Sequence, residues 1–275
     1  MTGVRNKNGE NPRSDDQKRR LVQITDCHLG PAADFRLLGM RTLLTLRGVL
    51  NHIEAGCPPD CLLVTGDIAA EGRLEAYHRF AGEMARLGRP YHWLPGNHDD
   101  FDAMTNVPDL PPYRGCIDIA RWRLLALKTP VAGEVGGHLD DGQLAFLSDK
   151  LTDAGGRHVA LFLHHPPADV GCRWLDRQQV DNADSLAALL SDFGNVRFIA
   201  AGHVHQAGQY RFGNIPLYTT PSTCFQFAAG SDSFAIGSEP PGYRWFDLYD
   251  DGGFATDVCW LPACDERVDP SSSGY

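Results

Sequence analysis

Residues 91–99 have the sequence YHWLPGNHD, in which an apolar strand candidate ends in a polar turn. The strand candidate covers Tyr91–Leu94, and Asn97, His98 and Asp99 follow it. This turn brings together an amide oxygen, an imidazole and a carboxylate, which can bind a metal ion or transfer a proton. An Asn-His pair is also common in ordinary turns, so the segment alone does not separate a functional site from a loop.

Four further blocks of the same kind follow apolar segments. They are Asp26-Cys27-His28 after 21–25, Gly66-Asp67 after Cys61–Thr65, His164-His165 after 159–163 and Gly202-His203-Val204-His205 after 196–200. Taken singly, each block is more typical of a cap, a turn or a structural histidine. Sites in α/β proteins form beyond the carboxyl ends of strands, so the five blocks together predict one dinuclear metal site.

The pattern between the blocks indicates an α/β core. Helical periodicity predicts helices over 42–55, 74–87, 143–152 and 185–193, and a further strand is predicted over 122–127. Turn residues at 213–214 and 251–253 separate β-rich runs and predict hairpins, and 228–242 is expected to be a long loop. We expect a disordered arm over 1–20, one catalytic domain over 21–262 and a tail over 263–275.

Composition limits the classes of function. A formal net charge of −10 argues against a protein that binds nucleic acid through its surface, and no apolar run reaches the length of a membrane span. The eight cysteines form no Cys-x-x-Cys pair, which favours reduced thiols and a cytoplasmic location. A phosphate-bearing substrate would therefore have to find its positive charge locally, and bound metal ions can supply it.

The order of the five blocks resembles the calcineurin-like metallophosphoesterases over roughly residues 20–262. Within that superfamily the chain is most similar to the bacterial 3′,5′-cyclic-AMP phosphodiesterases, the class III cyclic nucleotide phosphodiesterases. The stretches that carry this closer resemblance are 23–29, 93–99, 171–176, 220–227 and 273–275. The resemblance implies a four-layer α/β/β/α sandwich with a dinuclear metal site at the carboxyl ends of its strands.

The resemblance also implies a ligand set. Asp26, His28 and His205 would hold one metal ion, Asn97, His164 and His203 the other, and Asp67 would bridge them. The family pattern favours His164 over its neighbour His165. Oxygen and imidazole ligands without thiolate suit Fe, Mn or Zn, and room for water favours Fe or Mn. The resemblance itself implies iron.

The reaction implied is hydrolysis of 3′,5′-cyclic AMP to 5′-AMP, which would lower cellular cyclic AMP. His98 is the ionisable group of its block that the implied ligand set does not use, so it is the candidate proton donor to the leaving oxygen, and Asp99 is expected to orient it. His28, Asp67, Asn97, His98 and His205 are the expected contacts of substrate and of the product AMP.

Other functions stay open at this stage. The same blocks fit a phosphodiesterase for another small diester, such as a glycerophosphodiester, or a broad phosphomonoesterase. A nuclease is less consistent with the acidic composition. A non-catalytic scaffold of the same fold would be expected to have lost ligands, and none is missing here.

Overall fold

The structure is a computed structural model that describes residues 18–56, 58–269 and 271. In chain order its helices are α1 (Thr42–Ala55), α2 (Leu74–Leu87), α3 (Phe101–Thr105), α4 (Asp141–Thr152) and α5 (Ala183–Leu190). Its strands are β1 (Lys18–Ile24), β2 (Arg36–Leu37), β3 (Met40–Arg41), β4 (Cys61–Thr65), β5 (Tyr91–Leu94), β6 (Cys116–Ile119), β7 (Trp122–Ala126), β8 (His158–Leu163), β9 (Val196–Ala201), β10 (Gly208–Phe212), β11 (Ile215–Thr219), β12 (Gly242–Tyr249) and β13 (Phe254–Trp260).

Two mixed sheets form the centre of the molecule. The first has the order β13-β12-β1-β4-β5, in which β1, β4 and β5 run parallel and β12 and β13 are added as an antiparallel hairpin. The second has the order β10-β11-β9-β8-β7-β6, with parallel β7, β8, β9 and β11 between antiparallel edge strands. The parallel strands of each sheet therefore end at a common edge, where the polar blocks follow them.

Three apolar clusters show the order of the layers. One lies between the first sheet and α1 and α2 and includes Leu46, Phe80 and Val64. A second fills the space between the sheets, where Phe198 and Phe246 stack with their ring centroids 4.6 Å apart. The third lies between the second sheet and α4 and α5. This arrangement confirms the predicted four-layer α/β/β/α sandwich, whose buried apolar area is the main stabilising contribution.

The regular elements lie close to their predicted bounds. Helices α1 and α2 and strands β4 and β5 have the predicted limits, and Gly88 ends α2 in a left-handed conformation with φ of 66°. Helix α4 begins two residues early because the Asp140 carboxylate caps it by accepting from the backbone N–H of Gln143. Helix α5 covers Ala183–Leu190 instead of 185–193, and residues 228–241 are irregular, as expected for the long loop.

The two chain ends change the predicted boundaries. Strand β1 begins at Lys18, so the last three residues of the predicted disordered arm are part of the first sheet; residues 1–17 lie outside the described part of the chain. Within the tail, the buried Glu266 carboxylate accepts hydrogen bonds from the backbone and guanidinium of Arg41 at 2.6–2.8 Å. The described part of the tail therefore packs against the residue that precedes α1.

Two general expectations are also addressed by the structure. Within the described residues, no helix has both the length and the apolar character needed to cross a membrane. The seven cysteines that the structure describes all carry free thiols, as predicted for them.

Candidate metal centre

The five polar blocks meet at one place, beyond the carboxyl ends of β1, β4, β5, β8 and β9. The carboxylate and imidazole ligand candidates there are buried, and Asn97, His98 and Asp99 are partly buried. The groups whose donor atoms lie within 4.8 Å of one another include Asp26 with His28 and His205, and Asp26 with Asp67 and His164. The predicted convergence of the blocks is therefore what the fold produces.

The backbone at the candidate ligands is unusual. Among the described residues, seven non-glycine residues have positive φ, and five of them are candidate ligands: Asp26 (54°), His28 (45°), Asp67 (50°), His203 (66°) and His205 (45°). The left-handed region costs a residue with a side chain of order 1–3 kcal/mol where the surroundings impose it. The sharp turns after β1, β4 and β9 thus aim these side chains inward at the expense of local strain.

The first half of the centre contains Asp26, His28 and His205. The Nε2 atoms of His28 and His205 lie 3.1 Å apart, and Nε2 of His205 lies 3.4 Å from Oδ1 of Asp26. Nδ1 of His205 contacts the carbonyl oxygen of Phe225 at 2.9 Å, and a carbonyl can only accept, so Nδ1 carries the hydrogen. Nε2 of His205 is therefore the ring nitrogen that faces the centre, as in a metal ligand.

The second half is organised around His164. Its Nδ1 donates to the carbonyl oxygen of Thr65 at 2.8 Å, so Nε2 is the ring nitrogen that faces the centre. Nε2 lies 3.1 Å from Oδ1 of Asn97 and 3.4 Å from Oδ2 of Asp67. Two oxygens that only accept therefore converge on this nitrogen, and a positive charge, either a proton on Nε2 or a bound metal ion, satisfies them.

Asp67 lies between the two halves. Its Oδ1 accepts the backbone N–H of His98 at 2.9 Å, whereas its buried Oδ2 accepts no hydrogen bond among the described residues. Oδ2 is 3.4 Å from Nε2 of His164 and 3.6 Å from Nε2 of His28, which places it beside both ligand groups. A buried carboxylate oxygen without a donor fits a position that bridges two cations.

The fourth imidazole, His203, has the opposite ring orientation. Its Nε2 contacts Oε1 of Gln178 at 3.1 Å, and because this amide oxygen only accepts, Nε2 carries the hydrogen. Nδ1 is then the ring nitrogen with the lone pair. The backbone N–H of His203 also donates to the carboxylate of Asp26, which links the blocks after β1 and β9.

The protonation states of these side chains suit metal ligands. Burial lowers the pKa of His28 and of His203 well below the usual value for histidine, so both are neutral near pH 7. Burial opposes the charge on His164 and on Asp67, but their mutual attraction prevails and raises the pKa of His164 to about 9 while it lowers that of Asp67. Without metal ions this pair therefore holds a proton on His164, which a bound metal ion would displace, and the donor set fits a dinuclear metal centre.

His165 is held differently from His164. Its Nδ1 contacts Oγ1 of Thr129 at 2.8 Å, and its Nε2 lies 3.2 Å from the carbonyl oxygen of Val135. Although its ring is near His164 and His203, both of its nitrogens already have hydrogen-bond partners. This arrangement supports the choice of His164 as the ligand and gives His165 a structural role beneath it.

His98 and Asp99 do not contact each other as predicted. Nδ1 of the His98 ring bonds the carbonyl oxygen of Ala70 at 2.9 Å. The Asp99 carboxylate instead accepts the backbone N–H groups of Ile68, Ala69 and Gly96 at 2.9–3.2 Å. Asp99 therefore ties the loop after β4 to the loop after β5, and Ala70 provides a hydrogen-bond acceptor for the His98 ring.

Close backbone approach requires two glycines at the centre. A Cβ atom on Gly96 would lie 2.1 Å from Oδ1 of Asp67, and one on Gly66 would lie 2.5 Å from Nδ1 of His164. Gly66 also has a φ of 97°, which favours glycine on conformational grounds. The blocks after β4 and β5 can therefore pack against each other only because both residues lack a side chain.

Aromatic side chains support the ligands from one side. The ring of Phe227 stacks on His205 with centroids 4.3 Å apart, and Trp174 contacts Phe227 edge to face at 4.9 Å. The stretches 171–176 and 220–227, which carry the closer family resemblance but contain no evident catalytic pattern, thus pack together behind His205. The stretch 273–275 lies outside the described residues.

Several supporting groups were missed by sequence reasoning. Gln178 lies in the segment 166–182, whose role the motifs do not reveal, and no pattern predicts its contact with His203. The other supports are the backbone carbonyls of Thr65, Ala70 and Phe225, which leave no trace in residue identity. Only the stretch 220–227 gave a sign that the residues near Phe225 matter.

Comparison with known proteins agrees with this geometry. A family model described as calcineurin-like phosphoesterase matches residues 19–207. The chain is 36% identical to the 3′,5′-cyclic adenosine monophosphate phosphodiesterase CpdA of Pseudomonas aeruginosa, over 93% of this chain and 94% of that protein. It is 35% identical to the protein of the same name from Escherichia coli K12, over 96% and 98% of the two chains.

Among solved structures, the fold is similar to that of a dimetal phosphatase from Danio rerio. The TM-score is 0.61 at 13% sequence identity, and the match covers 86% of this chain and 98% of the other. At this identity the likeness concerns the fold alone.

Proposed function

Because this chain belongs to the calcineurin-like phosphoesterase family, we propose that it is a phosphodiesterase that hydrolyses 3′,5′-cyclic AMP to 5′-AMP. The single observation that carries the substrate is the 35–36% identity, over nearly the full length, to bacterial proteins named as cyclic-AMP phosphodiesterases. The convergence of the Asp67 carboxylate and the His164 imidazole supports the metal-dependent chemistry.

We propose the ligand set that the family pattern implies. Asp26, His28 and His205 hold one metal ion, and Asn97, His164 and His203 hold the other, with Asp67 between them. The ring orientations support this division, since each of His164, His203 and His205 has a protein acceptor on one nitrogen and turns the other inward. Two divalent ions at this centre would supply Lewis-acid charge and activate water near neutral pH.

The donor set supports a proposal for the metal. The centre offers carboxylate, amide and imidazole groups, and no cysteine of the described chain is part of its clusters of candidate ligand atoms. Such a set suits Fe, Mn or Zn, and we propose iron as the native metal, with Mn as the next candidate.

We propose that His98 donates the proton that the leaving 3′ oxygen requires. Its Nδ1 hydrogen is used in the bond to Ala70, so Nε2 is the ring nitrogen that we assign to proton transfer. Its ring lies edge-on to that of His28 with centroids 4.9 Å apart, which puts it at the rim of the ligand cluster. Asn97, by contrast, points its Oδ1 at His164 and is a ligand candidate.

Asp99 serves this reaction indirectly. Its three backbone contacts hold the loop that carries Asn97 and His98 against the loop that carries Asp67. Burial, with the nearby charge of Asp67, raises the pKa of Asp99 to about 6, which the three N–H donors partly oppose. We therefore propose Asp99 as a positioning residue and His98 as the catalytic group.

The contacts of the substrate follow from the same arrangement. We propose that the phosphoryl group binds at the face lined by His28, Asp67, Asn97, His98 and His205, as product AMP would. No described feature favours nucleic acid as a partner, and the predicted cytoplasmic location stays a prediction.

One assay tests the proposed substrate against its rivals. Protein reconstituted with Fe or Mn is compared on cyclic AMP, cyclic GMP, glycerophosphocholine and a nitrophenyl phosphate monoester, with metal content measured on the same sample. We expect cyclic AMP to have the highest kcat/KM and two metal ions per chain. Faster turnover of glycerophosphocholine or of the monoester, with no measurable cyclic-nucleotide hydrolysis, would reject the proposed substrate while leaving the metal centre in place.

A further inference from the structure

A second cavity lies away from the candidate ligands, where the hairpin of β10 and β11 meets the hairpin of β12 and β13. Its volume is about 500 Å³, and its wall includes Gly208, Gln209, Tyr218, Arg244 and Asp257. None of the residues that line it is a candidate metal ligand. The metal centre therefore does not explain this cavity.

Arg244 is the one basic side chain of the cavity wall, and it is only 5% exposed. Its Nη2 donates to the carbonyl oxygens of Thr219 and Gly208 at 3.0 and 3.3 Å, and Nη1 donates to Oγ1 of Thr256 at 3.2 Å. Its buried Nε has no acceptor among the described residues. These neutral acceptors bind the guanidinium without neutralising its charge.

Arg123 shows what a compensated buried arginine looks like in the same molecule. It is 6% exposed, and both Nε and Nη2 bond the carboxylate of Asp118 at 2.8 and 2.9 Å. These bonds raise the pKa of Arg123, whereas burial lowers the pKa of Arg244 to about 10. Arg244 still carries its charge near neutral pH.

No carboxylate of the described chain replaces Asp118 at Arg244, since none lies within 4.0 Å of its guanidinium. Asp257 lines the cavity but is exposed, and its Oδ1 accepts the backbone N–H of Val258. The ring of Tyr218 lies 5.2 Å from the guanidinium carbon and contributes only a cation–π attraction. A buried cation without a counter-ion is costly, and an anion in the adjoining cavity would offset that cost.

We propose that this cavity binds a small oxyanion, such as sulfate or another group with carboxylate-like or phosphoryl oxygens, with Arg244 as its counter-charge. The site is separate from the substrate site, and it binds its anion whether or not the chain hydrolyses cyclic AMP. Gln209 adds an amide group to the cavity wall.

Calorimetric titration of metal-loaded protein with sodium sulfate tests the proposal, with NaCl adjusted to hold ionic strength constant. The variants are Arg244→Met, which removes the charge, and Arg211→Met, a control that removes an exposed arginine whose Nη2 bonds the carbonyl of Asn214 outside the cavity. We expect wild type and R211M to bind one sulfate that R244M binds at least tenfold more weakly. Any sulfate at the metal centre is the same in all three proteins and cancels in the comparison.

Two further variants keep Arg244 in place, so they remain informative if R244M does not fold. Asp257→Asn removes the negative charge of the cavity wall and should tighten sulfate binding about threefold, while Gln209→Glu adds one and should weaken it by a similar factor. Circular dichroism and metal content check that each variant is intact. Unchanged sulfate binding in D257N and Q209E, or wild-type binding by folded R244M, would overturn the proposal.

Discussion

Oδ2 of Asp67 lies 3.4 Å from Nε2 of His164 and accepts no hydrogen bond of standard geometry among the described residues. Without metal ions the two groups share a positive charge as a proton, because burial opposes the charge on His164 but its attraction to Asp67 raises the pKa of His164 to about 9. A metal ion bound by both groups would replace that proton, and the predictions on metal loading and catalysis follow from this relationship.

Asp67→Asn should lower metal occupancy and activity together. The amide keeps the size of the carboxylate but lacks its charge, and it places a donor N–H where the two halves need an acceptor. We expect fewer than two metal ions per chain by elemental analysis and a loss of more than about 100-fold in turnover. Mutating a residue that only hydrogen-bonds to a metal ligand already lowers metal affinity or activity by about 10–100-fold, and Asp67 is proposed as a ligand itself. Asp141→Asn, at an exposed position in the first turn of α4, is the control and should retain both metal ions.

His98→Ala and Asn97→Ala should separate catalysis from metal binding. We expect H98A to keep its metal content and to lose about 10²–10⁴-fold in kcat on cyclic AMP, the usual range for a lost proton donor. N97A should lose one metal ion, because it lacks the Asn97 Oδ1 that faces Nε2 of His164. A diester with a nitrophenolate leaving group needs no proton, so the H98A defect should shrink on it; an equal defect on both substrates would contradict the assigned role.

Asp99→Asn should destabilise the fold and not only slow the reaction. The carboxylate accepts three backbone N–H groups, and an amide can accept with one oxygen only, which leaves at least one buried donor unsatisfied. We expect the free energy of unfolding to fall by about 2 kcal/mol in urea titrations of metal-free protein. A stability equal to that of wild type would show that the loops after β4 and β5 do not depend on this side chain.

Gly96→Ala should disturb the centre, because its Cβ would lie 2.1 Å from Oδ1 and 2.4 Å from the backbone N of Asp67. We expect reduced metal affinity, measured by competition with a chelator. Gly82→Ala is the matched control within α2, where a Cβ meets no atom within 4 Å. That substitution should instead stabilise the helix by up to about 1 kcal/mol and leave metal affinity unchanged.

Glu83 should contribute a pH-dependent part of the stability. Burial raises the pKa of Glu83, but hydrogen bonds from Arg47 and Arg86 more than offset it, and the pKa is lowered overall. A carboxyl group with a depressed pKa stabilises the fold above its unfolded pKa, about 4.3, and this stabilisation is lost as pH falls through the folded value. The difference in urea midpoint between wild type and Glu83→Gln should thus be full at pH 6 and decrease below pH 4.

The longer elements could be predicted from the sequence because their patterns are local. Helices α1 and α2 show apolar residues at helical spacing and end at glycine, and β4 is a continuous apolar run. The two-residue strands β2 and β3 and the five-residue α3 were missed, since so few residues show no period. The start of β1 was placed too late because Lys18 and Arg20 look like solvent-exposed residues until Asp247 of β12 pairs with them.

The candidate site, like the fold, could be predicted only where its residues follow a local pattern. Its ligand types follow strands and could be found along the chain: six of the seven ligand candidates form close clusters, and Asn97 reaches them through His164. The contact of His98 with the carbonyl of Ala70 could not be found, because carbonyls are the same in every residue. The contacts of Asp99 could not be found for a related reason: the backbone donors that its carboxylate accepts become neighbours only after β4 and β5 pair.

The left-handed conformation of five candidate ligands has an evolutionary consequence. A mutation that replaces one of them with a β-branched residue would remove a ligand and also strain the turn, because Val and Ile tolerate positive φ poorly. Glycine and asparagine accept such a turn at little cost. A descendant of this protein that abandoned its metals would therefore be expected to drift toward glycine and asparagine at Asp26, His28, Asp67, His203 and His205, and to gain stability as it did so.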